Sequence, residues 1–275
     1  ARESQEEGGK GSAVFPVRTS PQVAKYHIYS TYGALLDRME RAFDRRHPLF
    51  HLPIYYPLGY YIGDDEEIDA FTENRQKAVL GLIRTNFLKR FESSVAAFEM
   101  SCDRILKKLL AFLEVNNETE EESNRLDLWK EGRGSIFDYT HRRQAELFPE
   151  EIDEEEVEED LIPPELLDKF EKLSRSDYDV EKMIDEVYED LEQICEFLTE
   201  TRKFDPAKDD KLKKLRSLLK TKAVKDRKML IFTEFTDTAR YIRRELEKDG
   251  FKGVFQIDSN SASNRGDVIR RFAPY

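Results

Sequence analysis

Residues 228–246 read KMLIFTEFTDTARYIRREL, and this stretch decides the fold of the last quarter of the 275-residue chain. Its apolar run, residues 229–232, does not alternate with polar residues, which predicts a strand covered on both faces, as in a parallel sheet. A polar turn follows, in which Thr236 or Asp237 can cap a helix. Apolar residues then recur at helical spacing until Gly250, where we expect the helix to end.

A second unit of the same kind follows. Residues 254–257 predict another strand, and Val268, Ile269 and Phe272 predict another helix. The order βαβα is typical of a nucleotide-handling α/β domain, of which only the start is present. Two parallel strands bury their apolar side chains poorly, so we expect the helical part or a second copy of the chain to cover them.

The remainder of the chain is predicted to be a bundle of long helices. The strongest helical pattern, residues 66–115, would reach ~70 Å as one helix, with Gly81 and Ser93-Ser94 as potential bends. Residues 165–203 carry a similar apolar stripe and are expected to pair with it antiparallel. The predicted fold class is therefore mainly α, a long-helix bundle, with a partial α/β βαβα unit at the C-terminus.

The chain divides by composition into three regions. Residues 1–20 predict an extended tether, 21–205 a helical insertion or protrusion domain, and 206–275 the truncated start of an α/β lobe. An acidic linker is expected near 116–164, since residues 150–160 contain nine carboxylates. A plain linker is one interpretation of that run, and a nucleic-acid mimic that blocks a basic groove is the other.

Charge is distributed unevenly along the chain. Residues 201–275 contain 20 Lys and Arg against 11 Asp and Glu, whereas the whole chain has a net charge of −12. The local field governs phosphate binding, so the overall acidity does not exclude a nucleic-acid partner; the alternative is that these charges only solvate helix faces. No apolar run approaches ~18 residues, which argues against a membrane partner and for a cytoplasmic protein. Cys102 and Cys195 are expected in the core, without a disulfide.

Four stretches together resemble one protein family. Residues 230–239 resemble motif IV of the Swi/Snf-like branch of superfamily-two helicases, in bacterial members related to the RNA-polymerase-recycling ATPase. The lead-in to the second RecA-like lobe is similar to residues 210–219, and the segment after the next strand is similar to 265–274. Residues 86–94 resemble the helical region between the lobes. The resemblance covers roughly 80–113 and 208–275.

The resemblance implies an ATP-dependent helicase or translocase, with ATP and Mg²⁺ as cofactors of the parent protein. This chain lacks Gly-x4-Gly-Lys-Ser/Thr and Asp-Glu-x-His segments, begins without an initiator Met and ends before the late motifs. We therefore expect an internal fragment that binds no cofactor and is not catalytic alone. Its implied partners are nucleic acid, double-stranded DNA above all, and the missing first RecA-like lobe; self-association through the truncated sheet is also expected.

The candidate nucleic-acid contacts follow the two predicted strands. They are Phe235, Thr236, Asp237, Thr238 and Arg265. Ligands of open α/β sheets lie at the carboxyl ends of the strands, and helix N-termini there offer free amides to phosphates. The resemblance implies that this edge of the sheet follows the backbone of one nucleic-acid strand without reading its bases. The structural alternative is that these residues only cap a helix.

Three other patterns are open to a functional and a structural interpretation. Lys89 and Arg90 are either phosphate contacts or part of a solvated helix face. The tyrosine-rich stretch 55–61 either stacks on bases or packs internally. His47 and His51 have metal-like spacing, but Pro48 opposes a helix through both, which favours packing over zinc. No catalytic residue and no metal site is predicted.

Two functional hypotheses remain. The first is a motor fragment that contributes a helical protrusion and a motif IV region to nucleic-acid binding. The second is a non-catalytic helical scaffold for protein interactions, supported by the long helices and the acidic linker. Salt-dependent DNA binding discriminates between them.

Overall fold

The computed structural model describes residues 20–27, 29–43, 50–64, 68–147, 172–222, 224, 227–258 and 265–273. Over these residues the protein is mainly helical, with no strand or sheet. The nine α-helices described are α1 (Tyr29–Ala42), α2 (Ala70–Ser93), α3 (Val95–Asn116), α4 (Glu120–Gly132), α5 (Gly134–Leu147), α6 (Val180–Thr201), α7 (Asp210–Leu219), α8 (Thr236–Lys248) and α9 (Arg265–Phe272). None of them is long and apolar enough to cross a membrane.

The predicted long helix is divided into two. Ser94 has extended backbone angles (φ −164°, ψ 155°) and separates α2 from α3. Its hydroxyl accepts a hydrogen bond from the Ala97 amide at 3.1 Å, and so caps the first turn of α3. The predicted bend at Ser93-Ser94 is confirmed, whereas Gly81 lies within uninterrupted α2.

Aromatic side chains fill the core where α2, α3 and α6 meet. The rings of Phe87 and Phe98 have centroids 4.9 Å apart, and Phe197 lies 5.5 Å from Phe98. All three are fully buried, and burial of such a side chain contributes about 1.5–3 kcal/mol. The predicted packing of the two striped regions is confirmed for α3 and α6, and Cys102 and Cys195 are buried and free as expected. Residues 165–171 lie outside the described residues.

The tyrosine-rich loop packs onto this core. It forms two 3₁₀ turns, Pro53–Tyr55 and Pro57–Tyr60. The Tyr56 hydroxyl donates to Glu73 at 2.7 Å, and the Tyr60 hydroxyl donates to Glu186. These internal contacts favour the packing interpretation of this stretch. His47, the other half of the histidine pair, lies outside the described residues.

The predicted linker near 116–164 differs from the structure, because residues 120–132 and 134–147 form helices α4 and α5. Thr119 and Glu122 form a reciprocal capping box that starts α4. At the C-terminal end of α4, Trp129 Nε1 and Arg133 Nη2 both donate to Glu192 of α6, at 2.8 Å and 2.7 Å. These contacts fix the polar region to the bundle, and the acidic run itself lies outside the described residues.

The C-terminal region follows the predicted helix order without the predicted sheet. Helices α7, α8 and α9 form, and Gly250 ends α8 with a left-handed backbone (φ 83°). The segments 228–235 and 251–258 connect them and are not assigned as strands. Leu230 and Phe232 are exposed. The expectation that the first strand is covered on both faces was therefore wrong for the described residues, because these two side chains face solvent.

Candidate nucleic-acid interface

A buried ionic contact attaches α8 to the helical bundle. We call Arg90, Arg104 and Asp237 the α8 junction. Arg90 Nη1 donates to Asp237 at 2.8 Å, and the two Nη atoms of Arg104 donate to its two carboxylate oxygens at 3.2 Å each. The Arg90 and Asp237 side chains are only 1% and 2% exposed. The two arginines come from different helices, α2 and α3, so one carboxylate of α8 joins both.

The position of Asp237 strengthens this contact. It is the second residue of α8, where the unpaired amides and the helix dipole favour a negative charge. With two guanidinium groups added, the start of α8 is an anion-binding site that the chain's own carboxylate fills. A charge-assisted contact of this kind is stronger than a neutral hydrogen bond.

Three hydroxyl groups extend the junction. Thr238 Oγ1 lies 2.8 Å from the hydroxyl oxygens of both Ser93 and Ser94, at the break between α2 and α3. Thr238 and Ser94 are buried. The break that divides the long helix is therefore also the surface on which α8 begins.

Phe235 completes the contact from the other side. Its ring is buried, and the Arg90 guanidinium carbon lies 4.7 Å from the ring centroid, a cation–π geometry. Phe235 is also the N-cap of α8, and no side chain caps that position. The prediction that Thr236 or Asp237 caps α8 was wrong, since Asp237 is within the helix and its carboxylate points to the arginines.

The rest of α8 is held by α5 and α7. The Tyr241 hydroxyl donates to Asp209 at 2.9 Å, and Arg244 pairs with Glu146 of α5 at 2.9 Å. Burial raises the pKa of the Tyr241 hydroxyl above its ordinary value, and the nearby Asp209 carboxylate raises it further. This tyrosine therefore stays protonated and remains a donor.

Helix α5 is itself held by a buried carboxylate. Glu99 of α3 accepts hydrogen bonds from Arg143 Nη2 at 2.8 Å and from the Tyr139 hydroxyl. Burial raises the pKa of the Glu99 carboxyl, while Arg143 and the Tyr139 hydroxyl act in the opposite direction. Glu99 and Arg143 therefore fix the helix on which Glu146 meets α8.

The five predicted contact residues fall into two groups. Phe235, Asp237 and Thr238 are buried in contacts within the chain. Thr236 is partly exposed at the start of α8, and Arg265 is exposed at the start of α9, where Nη2 donates to the Asp258 carbonyl at 2.5 Å. A phosphate can approach the second group directly, whereas it can reach the first only if the α8 junction opens.

Sequence reasoning did not identify the two arginines. It assigned Arg90 to a solvated face or a phosphate contact, and the structure buries it. The available signal was its register, because Arg90 lies on the buried stripe of α2 with Val79, Ile83 and Phe87. A charge on such a stripe needs a partner. Lys89, in contrast, is exposed and lies 3.5 Å from Glu234, just before α8.

Thr236 and Arg265 are therefore the accessible part of the predicted edge, and the α8 junction anchors the helix that Thr236 begins. Lys89, which the sequence analysis left open, is an additional exposed cation. Comparison with known proteins gives no further guide to this arrangement. The chain matches no protein-family model, no curated protein and no solved structure.

Proposed function

We propose that this chain is part of an ATP-dependent nucleic-acid helicase or translocase of the Swi/Snf-like type, and that its C-terminal region contacts the phosphate backbone. In this proposal residues 206–275 are the start of a RecA-like βαβα lobe. The helical region is the protrusion that carries this lobe. ATP and Mg²⁺ would be bound by the parent protein, not by this chain alone.

One observation carries the proposal. The accessible start of α8 at Thr236 and the exposed Arg265 both lie in residues 201–275, which contain 20 Lys and Arg against 11 Asp and Glu. Helix N-termini with adjacent basic side chains are suited to phosphate. The order of two apolar segments, each followed by an amphipathic helix, gives independent support from the described residues.

Salt-dependent DNA binding tests the phosphate contacts. The double variant Lys89→Gln/Arg265→Gln removes two exposed cations, Arg265 of the predicted edge and Lys89 of α2. If each contacts one phosphate, the slope of log K against log salt falls by about 1.8 for duplex DNA. The matched control is Lys130→Gln/Lys172→Gln, which removes the same charge from exposed surface ion pairs with Glu114 and Glu118.

Equal slopes in the two double variants would contradict the proposed contacts, because net charge alone would then explain the binding. Absence of DNA binding at low salt would favour the second hypothesis, a protein-interaction scaffold. The chain alone is expected not to hydrolyse ATP. Clear DNA-stimulated hydrolysis by the purified chain would contradict the proposed division of the motor, since hydrolysis needs a phosphate cradle and metal-holding residues.

A further inference from the structure

The segment 228–235 presents a set of apolar side chains to solvent. Phe232 is 88% exposed and Leu230 is 64% exposed, and Ile231 is also exposed. In segment 251–258, Phe255 and Ile257 are exposed as well. Three consecutive exposed apolar side chains, Leu230, Ile231 and Phe232, are a mark of an interaction surface.

The backbone of the same segment is available for pairing. Among the described residues, no hydrogen bond between backbone groups involves residues 229–234 or 252–257. Isoleucine, phenylalanine and valine favour strands over irregular structure. An apolar segment with unpaired amides and carbonyls is a template on which an extended polypeptide can add as a strand.

A cavity beside the segment provides room for the side chains of such a strand. It has a volume of about 270 Å³ and lies between segment 228–235 and helices α7 and α8. Its apolar walls include Leu212, Leu215, Leu218, Ile231 and Ile242. A strand that pairs with the segment would place alternate side chains on this side, since successive side chains point to opposite faces.

The charge around the cavity indicates the chemistry of the partner. Lys211 and Lys214 line it together with the buried carboxylate of Asp209, which accepts a hydrogen bond from the Tyr241 hydroxyl, and Arg227 and Lys228 lie just before and at the start of the segment. None of these four cations forms an ion pair with a described carboxylate. Lys211 and Lys228 donate only to backbone carbonyls, those of Glu92 and Ser93 and those of Arg271 and Phe272.

We propose that segment 228–235 and the adjacent cavity dock an apolar β-strand with acidic residues at its ends. Backbone hydrogen bonds align the bound strand, and the cavity accommodates those of its side chains that point inward. The four cations attract the carboxylates at its ends. The proposal concerns a polypeptide partner and does not depend on the proposed contacts to nucleic acid, which involve Lys89, Thr236 and Arg265.

The probe is a fluorescein-labelled peptide with a central Val-Thr-Ile-Thr-Val strand and two glutamates at each end. We expect it to bind the full chain at least tenfold more tightly than the same peptide with lysine flanks. N-methylation of alternate backbone amides should abolish binding, because it removes the donors needed for pairing. Equal binding of the two flanked peptides, or undiminished binding of the methylated one, would overturn the proposal.

Matched variants locate the site. Phe232→Lys and Leu230→Lys should each weaken binding of the glutamate-flanked peptide at least tenfold. Phe71→Lys and Leu128→Lys are the controls, because these side chains are 77% and 69% exposed on other helices. All four positions are exposed, so the variants are expected to fold. If all four variants bind equally, or if the chain is a dimer that Phe232→Lys makes monomeric, the proposed occupant is wrong.

Discussion

The sharpest prediction concerns Asp237→Asn, which removes the charge that Arg90 and Arg104 share. Arg90 is buried, so its guanidinium group would remain away from water without a carboxylate partner. Breaking a buried pair in this way costs about 3–5 kcal/mol. Arg104 is more exposed (13%) and can turn towards solvent, so most of the cost comes from Arg90.

Asp237→Asn should destabilise α8 before it destabilises the whole helical bundle. Asp237 joins α8 to the bundle, whereas the aromatic core of α2, α3 and α6 does not depend on it. We therefore expect hydrogen exchange of the α8 amides to accelerate by about 10²–10³-fold, which corresponds to 3–4 kcal/mol. The amides of α3 and α6 should keep their protection.

The control is Asp267→Asn. This residue also lies in the first turn of a helix and pairs with Arg270 at 2.9 Å, but the pair is exposed. Its removal should change stability by less than about 0.5 kcal/mol. The replacement Arg90→Met/Asp237→Leu should recover much of the loss, because it removes the buried charge as well as its partner. If Asp237→Asn and Asp267→Asn have the same effect on α8 exchange, the ionic contact does not anchor the helix.

Three further predictions concern stability, measured by urea unfolding. Burial raises the pKa of Asp190 to about 8. The folded state then holds one proton more than the unfolded state between about pH 4 and 8, so the free energy of unfolding should fall by up to about 1.4 kcal/mol per pH unit as the pH rises. If Asp190→Asn leaves this dependence of stability on pH unchanged, the reasoning is contradicted. Ser94→Ala should cost about 1 kcal/mol through loss of the α3 cap, whereas Ser94→Thr should retain most of the stability; equal losses would exclude capping as the cause. Gly250→Ala should lower the free energy of unfolding by about 1 kcal/mol, because Gly250 has a positive φ. Gly81→Ala should raise it by a similar amount, because Gly81 lies within α2 and a methyl group there meets open space. Changes of the same sign in both variants would refute the backbone argument.

Helices with a strong apolar stripe were the most predictable part of the fold. The stripe of α6 and the bend at Ser93-Ser94 are local properties, since side-chain spacing and hydroxyl capping act within a few residues. The same holds for α7, α8 and α9. In each case the sequence pattern and the packing of the chain favour the same structure.

Helices α4 and α5 show why a polar composition misleads. The acidic run of residues 150–160 predicts a linker near 116–164, yet residues 120–132 and 134–147 are helical. The capping-box pattern of Thr119 and Glu122 was present in the sequence and indicates a helix start. What the pattern could not supply is the tertiary contact, because Arg133 and Glu192 are distant in sequence and meet only once α6 is in place.

The candidate site was only partly predictable for a related reason. The start of α8 was located correctly, but helix capping, phosphate contact and ion pairing all use the same residue types. The choice among them depends on which cations the fold brings near Asp237. The sequence does place Arg90 on the buried stripe of α2, which indicates that it needs a charged partner. It does not show that this partner is Asp237 of α8.

Three buried acidic side chains attach outer elements to the aromatic core. Glu99 binds α5 through Arg143, Asp190 accepts the backbone amides of His51 and Leu52 at 2.6 Å each, and Asp237 binds α8 through two arginines. Contacts of this kind are directional and fail when one partner is lost, whereas core packing tolerates small changes. The aromatic core therefore sets the stability of the bundle, while single polar groups set the positions of the elements around it. Because α8 begins at Thr236 of the predicted phosphate-binding edge, the position of this part of the edge depends on the ionic contact of Asp237 with Arg90 and Arg104.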